Sequence, residues 1–512
     1  MSIDRNMGFT EAVTMRIHEK LDNACSISTV THITGKVDFV QFELALSWLF
    51  NRHPLLRATS VIEAGQYRFV LNAKFTDIPI TFIAATDNAT SHDIFSREAI
   101  LPFSYDKYLW RAYLISTSET EHDVVIGCCH ATSDALCLAS LSGELLVCIE
   151  DIQAGKSCRY PDIALLDPLE TLIPLPDLNL VPIENDTTDT DQWIFHGTSS
   201  VSKQQSLNLI RVLSPAQVEQ VTKACRRHKT TVNAALNVAC CLAIMQSRGL
   251  EKLSTRWYSA VNFRTLTLGK ARPEHFSCLA DQVELTMSVD HNSHFWALTA
   301  EFNQQISHAI KRTNIPQKVD MAFLDSVISE CQSAFKQRMP LFKYIVSNIG
   351  KIDNLFEDLI LLKAESFRFT IQNVHAIYGA PLYVSTLNNS MQLVFCFTEP
   401  MIDRKFIGIF ADLTIKNLLT ACQFGQTPLT NNQTITPQSE TEHFLCELWQ
   451  QLLNLDSVGT LDNFFELGGD SLLACKLSKA INKKFTKHNF HPYYLIENPT
   501  IKKLSKMLHD EI

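Results

Sequence analysis

Two places in this 512-residue chain carry residues whose types and spacing could do chemistry, and the first is Ser471. It follows Gly468-Gly469-Asp470, where the glycines permit a tight turn and the aspartate and serine favour a helix N-cap. Leucines then begin an apolar helical face. A side chain at such a helix start points into solvent, within reach of another enzyme. The pattern therefore indicates that Ser471 is modified rather than used as a nucleophile. An ordinary loop serine is the alternative.

The second place is His130, which ends the apolar run Val124–His130. Such a run is typical of a buried strand that delivers a side chain at its carboxyl end. Apolar residues at helical spacing follow Asp134, so His130 and Asp134 bracket a predicted strand-to-helix junction. A histidine and a carboxylate placed there could form an acid/base pair. The alternative is a core histidine bonded to a backbone carbonyl.

Several further segments would have to position these residues. One amphipathic helix leads into Arg52–Arg57, and another helix is predicted to start at Ser214-Pro215, with Gln217 as the third residue of a capping box. The remaining segments are, in chain order, Val261–Arg264, Val346–Gly350, the hairpin-like Leu382–Phe395, the amphipathic helix Glu442–Leu453, and Pro499–Leu504, which begins a last helix.

The segment Asp462–Leu473 resembles the DxFFxLGGxSL signature of acyl and peptidyl carrier domains, and the resemblance covers about residues 438–512. Carrier domains are bundles of four short helices. The resemblance implies that Ser471 holds a covalent 4′-phosphopantetheine arm, attached by a phosphopantetheinyl transferase. The thiol of that arm would hold an acyl or aminoacyl group as a thioester.

The segment Cys129–Ala135 resembles the HHxxxDG motif of the superfamily of condensation domains and chloramphenicol-acetyltransferase-like acyltransferases. The first His of the motif is Cys129 here and the final Gly is Ala135, while His130 and Asp134 are kept. The positioning segments up to Leu382–Phe395 match the superfamily in the same order. The resemblance therefore covers nearly all of residues 8–423.

This second resemblance implies a role for each site residue. His130 would be the general base, Asp134 would pair with Arg264 to join the two lobes, and Asn348 would contact substrate. Backbone N–H groups at the start of the helix after Asp134 could meet the developing oxyanion. Cys129 lies inside an apolar strand, where a thiol is usually inert, so we assign it no nucleophilic role.

The expected fold is α/β: two chloramphenicol-acetyltransferase-like lobes in a V, followed by a small four-helix carrier bundle. We expect the first lobe at residues 1–185, the second at 186–423, a polar, proline-containing linker at 424–437 and the carrier at 438–512.

Composition limits the compartment and the partners. A net charge of −9 without basic runs argues against nucleic-acid binding, and 15 cysteines without CxxC spacing suit neither a disulfide framework nor a metal site. The first 20 residues carry charges throughout, and no apolar run of about 20 residues could span a membrane. We expect a cytoplasmic protein with reduced thiols and no metal.

Absent motifs indicate what partners must supply. The chain has no phosphate loop of an adenylation domain, no GxGxxG, no P-loop and no GxSxG elbow. An adenylation or acyl-loading enzyme would therefore act in trans, with other carrier proteins and a small-molecule acceptor as further partners. This places the chain in a nonribosomal peptide, polyketide or lipid assembly line.

The leading hypothesis is a condensation-type acyltransferase that forms an amide or an ester. The rival is a degenerate condensation-like domain that recruits tailoring enzymes to a substrate on Ser471, because Cys129 and Ala135 alter the motif. A third reading is an acyltransferase that uses diffusible acyl-coenzyme A. The sequence does not identify donor, acceptor or the group on Ser471.

Overall fold

The computed structural model describes residues 4–84, 89–98, 101–173, 195, 197, 204–267, 270–423, 437–453, 458–462, 464, 471–485, 490, 495 and 498–510. The predicted linker, except residue 437, lies outside the described residues. So do Gly468–Asp470 and the expected lobe boundary at residues 185 and 186.

The described strands are β1 Arg5–Asn6, β2 Ser26–Thr34, β3 Thr59–Glu63, β4 Gln66–Val70, β5 Ile80–Ala84, β6 Trp110–Ser116, β7 Glu121–Cys129, β8 Gln205–Leu213, β9 Lys252–Asn262, β10 Ala280–Asp290, β11 Phe342–Lys351, β12 Lys363–Ile371, β13 Tyr378–Leu387 and β14 Ser390–Glu399. The described helices are α1 Phe9–Lys20, α2 Phe39–Arg52, α3 Ala89–Glu98, α4 Ala135–Gln153, α5 Leu169–Leu172, α6 Pro215–Arg227, α7 Val232–Ser247, α8 Phe295–Arg312, α9 Met321–Lys336, α10 Arg404–Gln423, α11 Glu440–Leu453, α12 Ser471–Lys484 and α13 Ile501–Asp510.

Two larger sheets organise the first 423 residues, as the expected α/β fold requires. One has five strands in the order β12-β2-β7-β6-β5, and the other has six in the order β10-β9-β11-β13-β14-β8. A small three-stranded sheet, β1-β4-β3, completes the first half. Strand β7 is central in its sheet, and its apolar residues are buried on both faces, as the run Val124–His130 predicted.

The five-stranded sheet takes one strand from the second half of the chain. Strand β12 pairs antiparallel with β2, and Phe367 lies opposite Thr31. The predicted lobe boundary at residue 185 assigns β12 to the second lobe, so that boundary does not account for its pairing in the sheet of the first. This pairing joins the two halves of the molecule through backbone hydrogen bonds.

Helix α4 follows β7 and is held by a buried ion network. The Arg52 guanidinium and the His53 ring both contact the Glu144 carboxylate, with Arg52 Nε to Glu144 Oε2 at 2.9 Å and His53 Nε2 to the same oxygen at 2.8 Å. Glycine in the middle of α4 serves close packing, because a Cβ on Gly143 would lie 2.0 Å from the Leu355 carbonyl oxygen. The predicted Arg52–Arg57 segment therefore anchors α4.

The C-terminal region forms a separate small core. Within the described residues it contains the helices α11, α12 and α13, and α11 and α13 begin near the predicted helix starts. Trp449 and Phe464 pack at the centre with ring centroids 4.8 Å apart, among buried Leu445, Leu477 and Ile501. This core shares no residue with the cores of the two sheets.

Candidate functional site

His130 lies immediately after β7, in the turn that leads to α4. Its Nδ1 lies 2.6 Å from the backbone carbonyl oxygen of Ser133. A carbonyl can only accept, so Nδ1 carries the proton in the neutral ring and Nε2 keeps the lone pair. One nitrogen of the His130 ring is thus bonded to a backbone carbonyl, as in the core-histidine alternative, while the other keeps the lone pair that a catalytic base would need.

Asp134 is the N-cap of α4 and pairs with Arg264, as predicted. Arg264 Nη1 lies 2.7 Å from Asp134 Oδ2, and the two side chains are 4% and 3% exposed. The same oxygen accepts from the Leu279 N–H at 2.9 Å, and Oδ1 accepts from the Cys137 N–H at 3.0 Å. The pair therefore links α4 of the first half to the segment that connects β9 and β10 in the second.

The charge state of Asp134 follows from these partners. Burial alone would raise the pKa of the carboxyl group, but the Arg264 guanidinium and the backbone N–H groups outweigh burial and lower it. Asp134 is consequently an anion at neutral pH. It cannot serve as a proton acceptor while Arg264 and two N–H groups occupy its oxygens.

A cavity of about 330 Å³ opens between the two halves next to His130. Its walls are mainly apolar and come from α1, β2, β9, β10, β11 and β13. Ala135 and Leu136 also line it, at the N-terminus of α4. Their N–H groups precede the first intrahelical hydrogen bond, so they are donors directed from a positive helix end.

Asn348 also lines the cavity, on the strand opposite His130's half. Its side-chain Oδ1 accepts from the Gly350 N–H at 2.9 Å, at a point where the pairing of β11 with β13 shifts register. The predicted residues His130, Asp134, Arg264 and Asn348 are therefore brought to one cavity.

Two cysteines flank His130 and differ in position. Cys129 is fully buried in the core and is not part of the cavity wall, and burial raises the pKa of its thiol to about 12. Cys278 lines the cavity with Sγ 3.8 Å from His130 Nδ1. Burial also raises the pKa of Cys278. Because Cys278 faces the protonated nitrogen, His130 cannot deprotonate it.

The sequence analysis missed the carboxylate of Asp281, which lines the same cavity on β10. Its Oδ2 accepts from the Thr10 hydroxyl at 3.0 Å, and its Oδ1 accepts from the Gln282 N–H at 2.7 Å. Burial raises the pKa of Asp281, against the lowering effects of the Gln282 N–H, Thr10 and His130. The sequence feature that could have revealed Asp281 is its place in the alternating pattern of β10. It occupies the same set of alternate positions as the buried residues Val283, Leu285, Met287 and Val289.

Ser471 is the first residue of α12, as its capping sequence predicted.

Among the described residues no group of three or more His, Cys, Asp and Glu side chains could hold a metal ion, and the described cysteines form no disulfide. Nor is any single described helix long and apolar enough to span a membrane, although the bent pair α6–α7 passes on length and composition.

Family comparison identifies both regions. Residues 13–164 match the condensation domain family, and residues 443–508 match the phosphopantetheine attachment site family. The chain thus combines a condensation domain with a carrier domain of the kind that holds covalent 4′-phosphopantetheine, as predicted. The start of the helix α12 at Ser471 suits that attachment, because the residue lies within the matched region and at a helix N-terminus.

Curated relatives are similar over short stretches. Gramicidin S synthase 2 of Brevibacillus brevis is 37% identical over 81 residues, 16% of this chain and 2% of that protein. Surfactin synthase subunit 1 of Bacillus subtilis is 41% identical over 70 residues, 14% of this chain and 2% of that protein. The chain therefore spans only a small fraction of these relatives.

Solved structures are similar over most of the chain. Trichothecene 15-O-acetyltransferase from Fusarium sporotrichioides aligns with a TM-score of 0.63 at 11% identity, over 81% of this chain and 95% of that one. The epimerization domain of the third module of tyrocidine synthetase B aligns with a TM-score of 0.60 at 12% identity, over 82% and 97%. These similarities confirm the expected condensation-type fold.

Proposed function

We propose that this chain is a condensation-type acyltransferase of a nonribosomal peptide, polyketide or lipid assembly line. It transfers an acyl or aminoacyl group from a carrier-bound thioester to an amine or a hydroxyl. The observation that carries the proposal is His130, whose Nδ1 is fixed by the Ser133 carbonyl while its Nε2 keeps a lone pair in a cavity between the two halves.

His130 acts as the general base in this proposal. As the acceptor attacks the thioester carbonyl, Nε2 accepts the proton that the attacking nitrogen or oxygen loses, and returns it to the departing sulfur. Positioned proton transfer of this kind typically contributes about 10²–10⁴ in rate. The bond from Nδ1 to Ser133 holds the ring in the tautomer that this step needs.

The N-terminus of α4 supplies the donors for the developing oxyanion. The N–H groups of Ala135 and Leu136 lie at the cavity wall, and the helix dipole adds positive potential there. Asp134 and Arg264 position this helix end rather than reacting, because both are buried and paired. Asn348 is proposed to contact the substrate from the opposite wall.

The carrier domain provides the attachment point. In this proposal Ser471 carries the 4′-phosphopantetheine arm, which supplies the thiol for thioester formation. The modifying enzyme is a phosphopantetheinyl transferase, an adenylation or acyl-loading enzyme acts in trans, and other carrier proteins bring the second substrate. The relatives gramicidin S synthase 2 and surfactin synthase subunit 1 support such a context. We also propose that the protein acts in the cytoplasm. The proposed domains are a first lobe at residues 1–185, a second lobe at 186–423, a linker at 424–437 and the carrier at 438–512.

The rival function is a recruitment platform without catalysis. One observation favours it: Ala135 lines the cavity at the position where the motif has glycine, so this helix start carries a methyl group that the motif lacks. In that case the fold and the carrier would persist without transfer. A transfer assay distinguishes the two functions, because acyl transfer requires His130 and recruitment does not.

The carrier assignment is tested by mass. Incubation with coenzyme A and a broad-specificity phosphopantetheinyl transferase should add one arm to the wild-type chain and none to Ser471→Ala. Ser478→Ala is the matched control on the same helix, because Ser478 is buried with its hydroxyl bonded to the Phe490 carbonyl, and this variant should still gain the arm. A gain that survives Ser471→Ala would remove Ser471 from the proposal.

A further inference from the structure

Asp281 is the one described carboxylate at the cavity wall that forms no ion pair with a lysine or an arginine. Asp134, the other acid there, is neutralised by Arg264. The groups that act on Asp281 are the Gln282 N–H, the Thr10 hydroxyl and His130, and none is a lysine or arginine of the described chain. An anion enclosed by mainly apolar walls is costly unless something cationic accompanies it.

The strand places Asp281 on the inner face. Along β10 the alternate residues Val283, Leu285, Met287 and Val289 are buried in the core of the second sheet. Asp281 continues that inward row at the end where the strand reaches the cavity. The Thr10 hydroxyl, from α1 of the other half, fixes one carboxylate oxygen at 3.0 Å. The acid is therefore held in place by both halves of the molecule.

We propose that Asp281 binds the amino group of the acceptor, which makes an amine the preferred acceptor and an amide the product. This inference rests on the proposed acyltransferase function. Each Asp281 oxygen accepts one hydrogen bond within the protein and keeps another lone pair for a ligand N–H. An amino group offers two or three N–H donors and a positive charge, whereas a hydroxyl offers one donor and no charge.

The proton balance also suits an amine. An acceptor that enters as an ammonium must lose a proton before it can attack. The Asp281 carboxylate takes that first proton and leaves a neutral amine beside it. The nitrogen then forms the C–N bond, its second proton passes to His130 Nε2, and the C–S bond breaks. His130 gives that proton to the departing thiolate, so the products are an amide, a thiol and one proton on Asp281 that returns to solvent.

The selectivity can be measured without turnover. Dissociation constants of hexylammonium and hexan-1-ol, which share one alkyl chain, are compared by calorimetry on the full chain at pH 7.5. The wild-type protein should bind hexylammonium at least about 10-fold more tightly than the alcohol, because hydrogen bonds to a charged group are worth about 10- to 100-fold. Asp281→Asn should bring the ratio of the two constants close to one.

Two threonine variants control for packing. Thr10→Val removes the hydroxyl that positions Asp281 and should reduce the amine preference partly. Thr14→Val makes the same change at another cavity residue of α1 and should leave the ratio unchanged. The proposal is overturned if wild-type protein shows no saturable hexylammonium binding, or if Asp281→Asn keeps the preference. This binding assay requires neither the phosphopantetheine arm nor catalysis by His130. Its failure can therefore be distinguished from failure of the transfer assay.

Discussion

The two ends of the cavity contain two enclosed carboxylates with opposite electrostatics. At the α4 end, Arg264 and two backbone N–H groups hold the pKa of Asp134 below its usual value despite burial. At the β10 end, burial raises the pKa of Asp281, and the lowering effects of the Gln282 N–H, Thr10 and His130 do not offset it. Burial alone therefore does not decide the charge of an acid. Its partners decide it, and here they separate an architectural acid from one that is open to a ligand.

The largest effect should come from removing the ion pair between Asp134 and Arg264. Arg264→Ala leaves Asp134 as an uncompensated buried anion, and removal of one partner of a buried pair typically costs about 3–5 kcal/mol of unfolding free energy. Denaturant unfolding of the condensation domain should show this loss, and transfer should fall with it. Asp281→Asn is the matched change at the other end and should not destabilise the protein.

A double-mutant cycle sharpens this prediction. Asp134→Asn and Arg264→Gln should each destabilise the protein, and the combined variant should lose less than the sum of the two, because the interaction is removed only once. Simple additivity would mean that the contact at 2.7 Å contributes nothing to stability. The comparison of the two ends would then lose its basis.

The pH dependence of stability should have opposite signs at the two ends. Asp134 contributes stability above its unfolded pKa of about 4, and that stability is lost as the pH falls through the lowered folded pKa. Asp281 binds its proton more tightly when folded, so stability is lost as the pH rises from about 4 through the raised folded pKa.

The Asp281 effect is isolated by comparing wild type with Asp281→Asn. His130 also acts on this carboxyl group, so the difference between the two proteins reports Asp281 together with its interaction with His130. The unfolding free energy of Asp281→Asn relative to wild type should be higher at pH 7 than at pH 4. A relative stability that falls over this range would show that the folded protein lowers the pKa of Asp281.

The smallest effect is expected next to His130 but outside the cavity. Cys129→Ala removes one buried sulfur and should cost about 1 kcal/mol of stability, as small core deletions do. The transfer rate should change little, because the thiol has a raised pKa and does not line the cavity. Loss of transfer in Cys129→Ala, with stability maintained, would show that Cys129 is needed for the chemistry and that our assignment to His130 is wrong.

Sequence patterns predicted the residues whose roles are set locally. The apolar run of β7 and the helix spacing after Asp134 placed His130 and Asp134 at a strand-to-helix junction, and capping residues placed Ser471 at the start of α12. The pairing of Asp134 with Arg264 also followed, because it was implied by the family that the motif resembles.

Long-range contacts were not predictable in the same way. The pairing of β12 with β2 and the contact of Thr10 with Asp281 join segments more than 250 residues apart, and no local pattern specifies such partners. The inward register of Asp281 was visible in β10, but an acid in an apolar row gains meaning only when a cavity is known to lie beside it.

The most direct test of the account is acyl transfer by His130→Ala. The variant is given the arm on Ser471, loaded with an acyl group, and offered an acceptor amine, and product formation is followed by mass. We expect transfer to fall by about 10²-fold or more while Ser471 loading stays intact. Transfer at the wild-type rate in His130→Ala would contradict the account and favour the recruitment platform.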